Sequence, residues 1–292
     1  MTTQGKRALT EREIRDLVAI AVSRINDPDP DDPSVLTPAW DAIATLHRNG
    51  DQAVFDVCND LCQSAEPNER AVGAAILGQL AYSLEFLRDE RFGLLKDMLD
   101  RELSGGGDPE MLASICFAFG HLKDARAIPE VVPLVRHPLS SVRFAVVHAL
   151  SAQEDAVAVA GLIELSNDED SDVRDWATFG LGQRIEADNA EIREALRARL
   201  TDTDPDTRLE AISGLALRKD AGVIDHIIAA LEAGEVGASI YDAVTDLASP
   251  TFCKHLKGTK QSGQALPEAV AKSDYLQSAW QEAVSACRCD ET

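Results

Sequence analysis

Apolar residues recur along most of the chain at steps of three and four, the spacing of one face of an α-helix. The phrase SSVRFAVVHALS at 140–151 returns 31 residues later as SDVRDWATFGLG at 171–182. With Arg143 as position 0, position +7 is a large apolar residue in six segments: Leu46, Leu77, Phe119, Leu150, Leu181 and Leu215. Each segment predicts one amphipathic helix, and the recurring interval predicts a repeat.

Each predicted first helix is followed by a break and a second apolar segment, such as AVAVAGLIELS after residue 155. The breaks hold acids that can cap the next helix, and Pro67, Pro109 and Pro205 stand where a first-turn proline costs no hydrogen bond. Stacked helical hairpins bury an apolar face that a single hairpin leaves open. The sequence therefore predicts an all-α fold, an α-solenoid of about seven hairpins with capping helices at both ends. The hairpins are predicted to begin near residues 37, 67, 108, 139, 170, 205 and 236.

The same pattern divides the chain into three predicted segments. In residues 1–34, Thr10 and Glu13 form a capping-box pattern for a helix up to Ile25, and the acidic, proline-rich NDPDPDDPS predicts an extended linker. Residues 35–258 hold the repeats. The stretch LKGTKQSGQ at 256–264 predicts a loop across the limit at 258/259. The rest of residues 259–292 is predicted to form a closing helix from Pro267 to about Ala286.

The charge balance narrows the choice of partner. The 292 residues include 28 Lys and Arg against 50 Asp and Glu, a formal net charge of −22. Such a chain repels phosphate, so we expect no direct contact with nucleic acid. A protein with a basic or mixed surface is the expected partner. Charges interrupt the apolar residues near the N-terminus and no stretch has the length of a membrane span, so we predict no secretory signal, no membrane contact and a cytoplasmic protein.

The phrases DSDVRDWATFGLG and SSVRFAVVHALS resemble HEAT-like repeats of the short type named after phycobilin lyases, with the pattern D-x-x-V-R-x-x-A-A-x-A-L-G. The resemblance covers residues 35 to about 258 and is strongest at 139–217. It implies an α-solenoid, a fold that scaffolds, lyases, oxygenases and glycosylases share. It also implies that the motif arginine bonds to an acid or carbonyl of the preceding turn and ties neighbouring repeats together. The residues concerned are Arg143, Arg174 and Arg208, with Asp170 and Asp204 as candidate acids; a row of cations that binds an acidic ligand is the alternative.

Aromatic side chains recur at the same register. Phe117, His148 and Phe179 stand at position +5 of three successive repeats, with Phe144 and Trp176 on the same predicted helices and Trp40 in the first. One interpretation is a seam between adjacent first helices. The other is a stripe that binds a partner, because exposed aromatic residues anchor interfaces. The candidate partner-binding residues are therefore Trp176, Phe179, Phe144, His148 and Phe117.

No metal site is predicted from the six cysteines. Cys58 and Cys62 are one helical turn apart, and Cys253 with His255 and Cys287 with Cys289 could add ligands, but no spacing matches a zinc finger. Cysteines in helices usually behave as small apolar residues. In a chain of this length without a secretory signal, all six are expected to be reduced thiols, with Cys287 and Cys289 on a frayed tail.

No catalytic residue and no cofactor is predicted either. Nucleotide and serine-hydrolase motifs are absent from the sequence, as are the His-Glu pairs of HEAT-repeat di-iron hydroxylases. Asp175 beside Trp176 is the one pairing reminiscent of HEAT-like DNA glycosylases, and the acidic charge argues against that activity. The sequence thus favours a non-enzymatic scaffold that binds a partner protein on a curved surface lined by the second helices. A ligand chaperone or enzyme like the bilin lyases, or an acidic immunity or inhibitor protein, is the alternative.

Overall fold

The structure, a computed structural model, describes residues 8–27, 35–233, 237–256 and 273–289. Within these ranges the regular elements are helices and none is a strand, which confirms the predicted all-α fold. The helices are α1 Glu11–Arg24, α2 Pro38–Arg48, α3 Gln52–Cys62, α4 Pro67–Gln79, α5 Arg88–Gly105, α6 Pro109–Leu122, α7 Ile128–Val131, α8 Ser140–Leu150, α9 Ala156–Leu165, α10 Ser171–Phe179, α11 Ala190–Arg199, α12 Pro205–Leu217, α13 Ile224–Ala233, α14 Ala238–Leu247 and α15 Asp274–Ala286.

The chain folds as two compact units, Met1–Ala158 and Val159–Thr292, whose limit falls inside α9. The predicted limits at 34/35 and 258/259 stay predictions. Most of the predicted linker and of the predicted C-terminal loop lies outside the described residues. The predicted closing helix is present from Asp274, and residues 267–272 also lie outside the described ranges.

Local sequence signals set where the helices begin. Thr10 and Glu13 form the reciprocal capping box of α1. Pro67, Pro109 and Pro205 each open a first helix, as predicted. The first helices of the seven hairpins are α2, α4, α6, α8, α10, α12 and α14, and each begins within two residues of its predicted position.

The apolar stripe of the first helices forms the core. In the N-terminal unit α2, α4, α6 and α8 pack side by side in chain order, and in the C-terminal unit α10, α12, α14 and α15 do the same. The predicted stripe is completely buried at Leu46, Leu77, Phe119, Leu150, Leu181 and Leu215. Burial of one such side chain contributes about 1.5–3 kcal/mol, so this stripe supplies a large part of the stability.

Small residues let neighbouring first helices touch backbone to backbone. A Cβ atom on Gly78 of α4 would lie 3.0 Å from the Cα of Ala118 on α6, and one on Gly120 would lie 2.7 Å from the carbonyl oxygen of His148 on α8. In the C-terminal unit a Cβ on Gly214 would lie 2.5 Å from the Cα of Gly182. These glycines are therefore required by close approach of the main chains.

Two helices are shorter than the sequence pattern indicates. The third second helix was expected over AIPEVVPLVRH, but only Ile128–Val131 is α-helical, and 3-10 turns flank it. Pro133 has no amide hydrogen to continue the α-helical bonding, which accounts for the change. In α10, the α-helix ends at Phe179 and continues as a π-helical turn over Gly180–Arg184, which contains the contact glycine Gly182.

A buried arginine closes the turn after α4. Arg91 of α5 has no exposed surface. Its guanidinium donates to the carbonyl oxygens of Leu77 at 2.7 Å, Gly78 at 2.9 Å, Ser83 at 2.7 Å and Phe86 at 3.2 Å. Burial lowers the pKa of Arg91 to about 10, so the side chain is still charged at neutral pH. One side chain thus satisfies carbonyls at the end of a helix and in the turn that follows it.

The cysteine prediction is wrong at the C-terminus. Cys253 and Cys289 form a disulfide across a sequence separation of 36 positions. Cys287, predicted on a frayed tail, is a buried thiol whose sulfur faces the carbonyl oxygen of Val244. Burial of Cys253 and Cys289 side by side brings the two sulfurs together, and the separation in sequence gave no signal of this pairing.

The remaining thiols follow the prediction of apolar behaviour. Cys58, Cys62 and Cys116 are buried, and burial raises the pKa of Cys116 to about 12. In the described part of the chain, no group of three or more residues could hold a metal ion. None of the described helices combines the length and apolarity that crossing a membrane requires.

Candidate functional site

The three motif arginines make the same contact in three repeats. Arg143, Arg174 and Arg208 each donate at 2.8 Å to the carbonyl oxygen six residues earlier, which belongs to His137, Asp168 and Asp202 respectively. Each also donates to the next carbonyl. The guanidinium therefore fastens the turn that precedes its own helix.

The acid that pairs with Arg174 comes from the following turn. Its Nε and Nη2 atoms each lie 3.0 Å from a carboxylate oxygen of Asp202, a bidentate pair that joins the fifth hairpin to the sixth. Asp170 and Asp204, the acids proposed from the sequence, accept amide hydrogens as the N-caps of α10 and α12. These contacts describe a structural role for all five residues.

Part of the predicted aromatic row is a ridge on the N-terminal unit. We call Phe117, His121, Phe144 and His148 the aromatic ridge. Its ring centroids lie 6.1 Å apart for Phe117 and Phe144, 5.3 Å for Phe117 and His148, and 4.7 Å for His121 and His148. The ridge joins α6 to α8, and its members are half-buried or exposed. It therefore acts both as a seam between first helices and as accessible apolar surface.

The other two aromatic candidates belong to the C-terminal unit. Trp176 and Phe179 lie on α10 with ring centroids 5.7 Å apart. Trp176 is 47% exposed, and Phe179 is half-buried. They form a separate aromatic pair.

An apolar trough runs along α4 beside the ridge. It encloses about 410 Å³ and is lined by Ile25, Trp40, Ala71, Ala75, Gln79, Ser114, Phe117, Ala118 and His121. We call this surface the α4 trough. Ala71, Ala75 and Gln79 are its floor on α4, Trp40 is one wall, and α6 supplies the other wall through Phe117 and His121. It exists because α4 carries alanine where α2 and α6 carry Trp40 and Phe117.

The walls of the trough were predicted from the sequence as aromatic residues, and its floor was not predicted. Trp40 and Phe117 were singled out as aromatic residues, whereas Ala71 and Ala75 passed as ordinary helix residues. The missed signal is a pair of alanines at positions +1 and +5 of one repeat, between repeats with a large residue at one of those positions.

The floor of the trough is uncharged at neutral pH. Beneath it, the Nε2 atom of His47 lies 3.0 Å from the carbonyl oxygen of Ala75. Burial lowers the pKa of His47 to about 4, so its imidazole is neutral and donates this hydrogen bond. Burial, and then the charge of Lys123, lower the pKa of His121. Both histidines therefore act as polar but neutral groups at this surface.

A row of carboxylates lies on α10 and α12 of the C-terminal unit. Burial raises the pKa of Asp175 to about 7, and the negative charges of Glu210, Asp204 and Asp206 add to the shift. The Oδ1 atom of Asp175 is buried and has no hydrogen-bond partner among the described residues. Asp175 is therefore a destabilising group once it is ionised.

Asp175→Asn is expected to stabilise the protein above pH 7 by about 1 kcal/mol. Because the pKa of Asp175 is higher folded than unfolded, the folded state holds a proton that the unfolded state releases between about pH 4 and 7. Stability conferred by this proton falls as the pH rises through that window and is lost above it. Chemical denaturation at several pH values should show a flatter pH dependence for the variant. A matched change at the exposed Asp56 should leave the slope unaltered, and equal slopes for Asp175→Asn and wild type would contradict the expectation.

The sequence matches a known repeat family and is similar to a protein of Escherichia coli. The family described as HEAT repeats matches residues 97–182 and 160–248. Protein YibA of Escherichia coli strain K12 is 28% identical over 214 residues, which cover 71% of this chain and 74% of YibA. The X-ray structure of YibA superposes with a TM-score of 0.62 at 22% identity and covers 96% of this chain and 98% of its own.

A second solved structure is similar only in outline. Human deoxyhypusine hydroxylase matches with a TM-score of 0.35 at 16% identity over 95% of this chain and 96% of its own, a likeness too weak to inform activity. The HEAT-repeat matches together span more than half of the sequence, and they agree with the stacked helical hairpins of the structure. The HEAT-like character of the repeated phrases is confirmed, and the protein belongs to the HEAT-repeat family.

Proposed function

We propose that this HEAT-repeat protein is a non-catalytic binding scaffold that holds a partner protein on the first helices of its N-terminal unit. The observation that carries the proposal is the α4 trough beside the aromatic ridge. Contiguous apolar surface on a folded unit marks an interaction site more often than scattered apolar residues do. The sequence favoured a partner surface lined by the second helices; the exposed aromatic groups favour the first helices instead.

The side chains at this surface are of the kind that anchors interfaces. Trp40 is 42% exposed, and Phe117 and Phe144 are half-buried against neighbouring helices, which fixes their orientation before binding. A pre-oriented aromatic ring loses little conformational entropy when a partner covers it. These rings can therefore contribute most of the binding free energy.

The charge of the chain supports a partner with a basic or mixed surface. A net charge of −22 attracts such a protein over a distance of about one Debye length, roughly 8 Å at physiological salt. Attraction of this type raises the association rate and weakens as salt is added. Nucleic acid carries charge of the same sign as the chain and is not part of this proposal.

Trp40→Ala with Phe117→Ala is expected to abolish capture of the partner, with at least about a tenfold loss of affinity. The test is affinity capture from an extract of cells that produce the protein, with chemical cross-linking and mass spectrometry, at low and high salt. Tyr275→Ala is the matched control, because it removes an exposed aromatic side chain of α15 in the C-terminal unit that is not among the candidate partner-binding residues. Recovery of no specific partner at either salt concentration, or equal recovery by all three proteins, would reject the proposal.

Ligand handling of the bilin-lyase type is the second candidate, and the size of the trough favours it. A volume of about 410 Å³ is within the range of small-molecule sites, and Gln79, Ser114 and His121 could orient a polar ligand. Addition of a bilin should then shift its absorbance band, and Ala75→Trp should remove the shift. An unchanged spectrum with the wild-type protein would leave the scaffold as the remaining candidate.

A further inference from the structure

We infer that the α4 trough is a cradle for an amphipathic α-helix of the partner, with large apolar residues on one face and Lys or Arg beside them at one end. This inference rests on the proposed function, because it names the chemistry of the partner for that same surface. The apolar face would lie over Ala71 and Ala75, and its largest side chains would contact Trp40 and Phe117.

The direction and width of the trough fit a helix. Ala71, Ala75 and Gln79 are four residues apart on α4, so they form one line along the helix axis. The axes of packed helices are about 8–10 Å apart, so the axes of α2 and α6 lie about 16–20 Å apart with α4 between them. A helix with its side chains is about 10–12 Å wide. α1 packs against α2 and α4, and its end at Ile25 lines the trough, so one partner helix can lie along α4 between the α6 wall and the side formed by Trp40 and Ile25.

Hydrogen bonding favours a helix over an extended peptide. An extended segment brings one amide hydrogen and one carbonyl oxygen per residue to the surface, and burial without partners is costly for each group. The described surface has no strand edge to pair with them. The polar side chains that line the trough are Gln79, Ser114 and His121, too few for a peptide backbone. A helix satisfies its own main chain and needs only apolar contact.

The charges at the two ends of the trough indicate at which end of the partner helix its basic residues lie. Glu110 is exposed and lies one helical turn before Ser114, whose hydroxyl donates to the Glu110 carbonyl oxygen at 2.9 Å. Lys123 is exposed beyond His121 at the opposite end. The floor between them is neutral because His47 is uncharged. A basic residue of the partner therefore belongs at the Glu110 end, where the overall charge of −22 reinforces the attraction.

The test is a display library of peptides of about five helical turns, panned on the full-length protein. We expect enriched peptides to carry large apolar residues at i, i+3 or i+4 and i+7, with Lys or Arg at one end. A synthetic peptide of the enriched sequence should lose at least about tenfold in affinity against Ala75→Trp, which fills the trough, and bind Tyr275→Ala as it binds wild type. Glu110→Gln should weaken this peptide and leave a version with Gln in place of its basic residues unchanged.

Gln79→Trp gives a second blocked trough if Ala75→Trp fails to fold, and circular dichroism with a thermal melt checks both. Enrichment of proline-rich or unpatterned peptides, no enrichment at all, or equal binding by the blocked variants would overturn the inference. The partner captured from the cell separates this failure from that of the proposed function. If capture is lost in Trp40→Ala with Phe117→Ala but the blocked variants retain it, the scaffold stands and the helical cradle is wrong.

Discussion

Replacing Arg91 by methionine is expected to lower the free energy of unfolding by about 3–5 kcal/mol, the largest loss we predict for one side chain. Methionine fills much of the same volume but donates no hydrogen bond. The carbonyl oxygens of Leu77, Gly78, Ser83 and Phe86 then lose a shared donor, and those of Leu77 and Gly78 lie in a buried site. Each buried carbonyl left without a partner costs about 1–3 kcal/mol, and relaxation of the turn recovers part of the sum.

Urea denaturation of wild type and Arg91→Met measures the loss directly, and two comparisons define its cause. Arg12→Met removes an exposed arginine and should change the midpoint little. Arg91→Lys keeps the charge but lacks the planar fork, so its stability should fall between methionine and wild type. If Arg91→Met and Arg12→Met unfold at the same urea concentration, the buried guanidinium does not stabilise the turn.

Gly120→Ala should be destabilising by about 2–3 kcal/mol although alanine is the better helix former. The added methyl group would lie 2.5 Å from the ring carbon Cδ2 of His148 and 2.7 Å from the His148 carbonyl oxygen. The ring can rotate away, but the carbonyl belongs to the main chain of α8. The helices α6 and α8 must therefore separate, which opens the packing around Phe119 and Leu150.

Gly93→Ala is the matched control for this clash. Gly93 lies inside α5, and a Cβ atom there would meet nothing within 4 Å. That substitution should stabilise the protein by about 0.4–1 kcal/mol, because alanine restricts the unfolded chain and favours the helix. If close approach of α6 and α8 requires glycine at position 120, thermal melts should show a lower melting temperature for Gly120→Ala and a higher one for Gly93→Ala. A stabilised Gly120→Ala would show that the two main chains are not in contact.

The sequence predicted the features that depend on periodicity. Leu77 and Leu150 are buried because side chains at steps of three and four share one face of a helix, and that face packs on the next repeat. The starts of α2, α4, α6, α10 and α12 were also predictable, since proline and capping residues act within one turn. These signals are local, and tertiary contacts do not alter them.

Features that depend on contacts between distant residues were not predictable. Arg91 was unremarkable in sequence because its acceptors are main-chain oxygens, among them those of a turn that contains Ala81 and Tyr82 with positive φ. Alanine and tyrosine give no turn signal. The pairing of Cys253 with Cys289 depends on the docking of α15, which the sequence pattern does not specify.

The candidate site was predicted only in part, because its floor also depends on contacts between residues that are distant in sequence. Trp40 and Phe117 stood out as large residues, but a trough is defined by what is small between them. Ala75 is as common in a packed core as at an exposed surface, so its side chain alone does not indicate which one it occupies. Only the packing of α4 between α2 and α6 shows that it forms a floor.

Main-chain contact between successive first helices also limits how such chains can be recombined. A hairpin transplanted from another repeat protein would need glycine or alanine where Gly78, Ala118 and Gly182 now stand. A bulky residue at that point would hold the graft away from its neighbour however well its leucines matched. Duplication of a hairpin already present in the chain carries the required small residue with it, so copying is an easier route to a longer array than exchange.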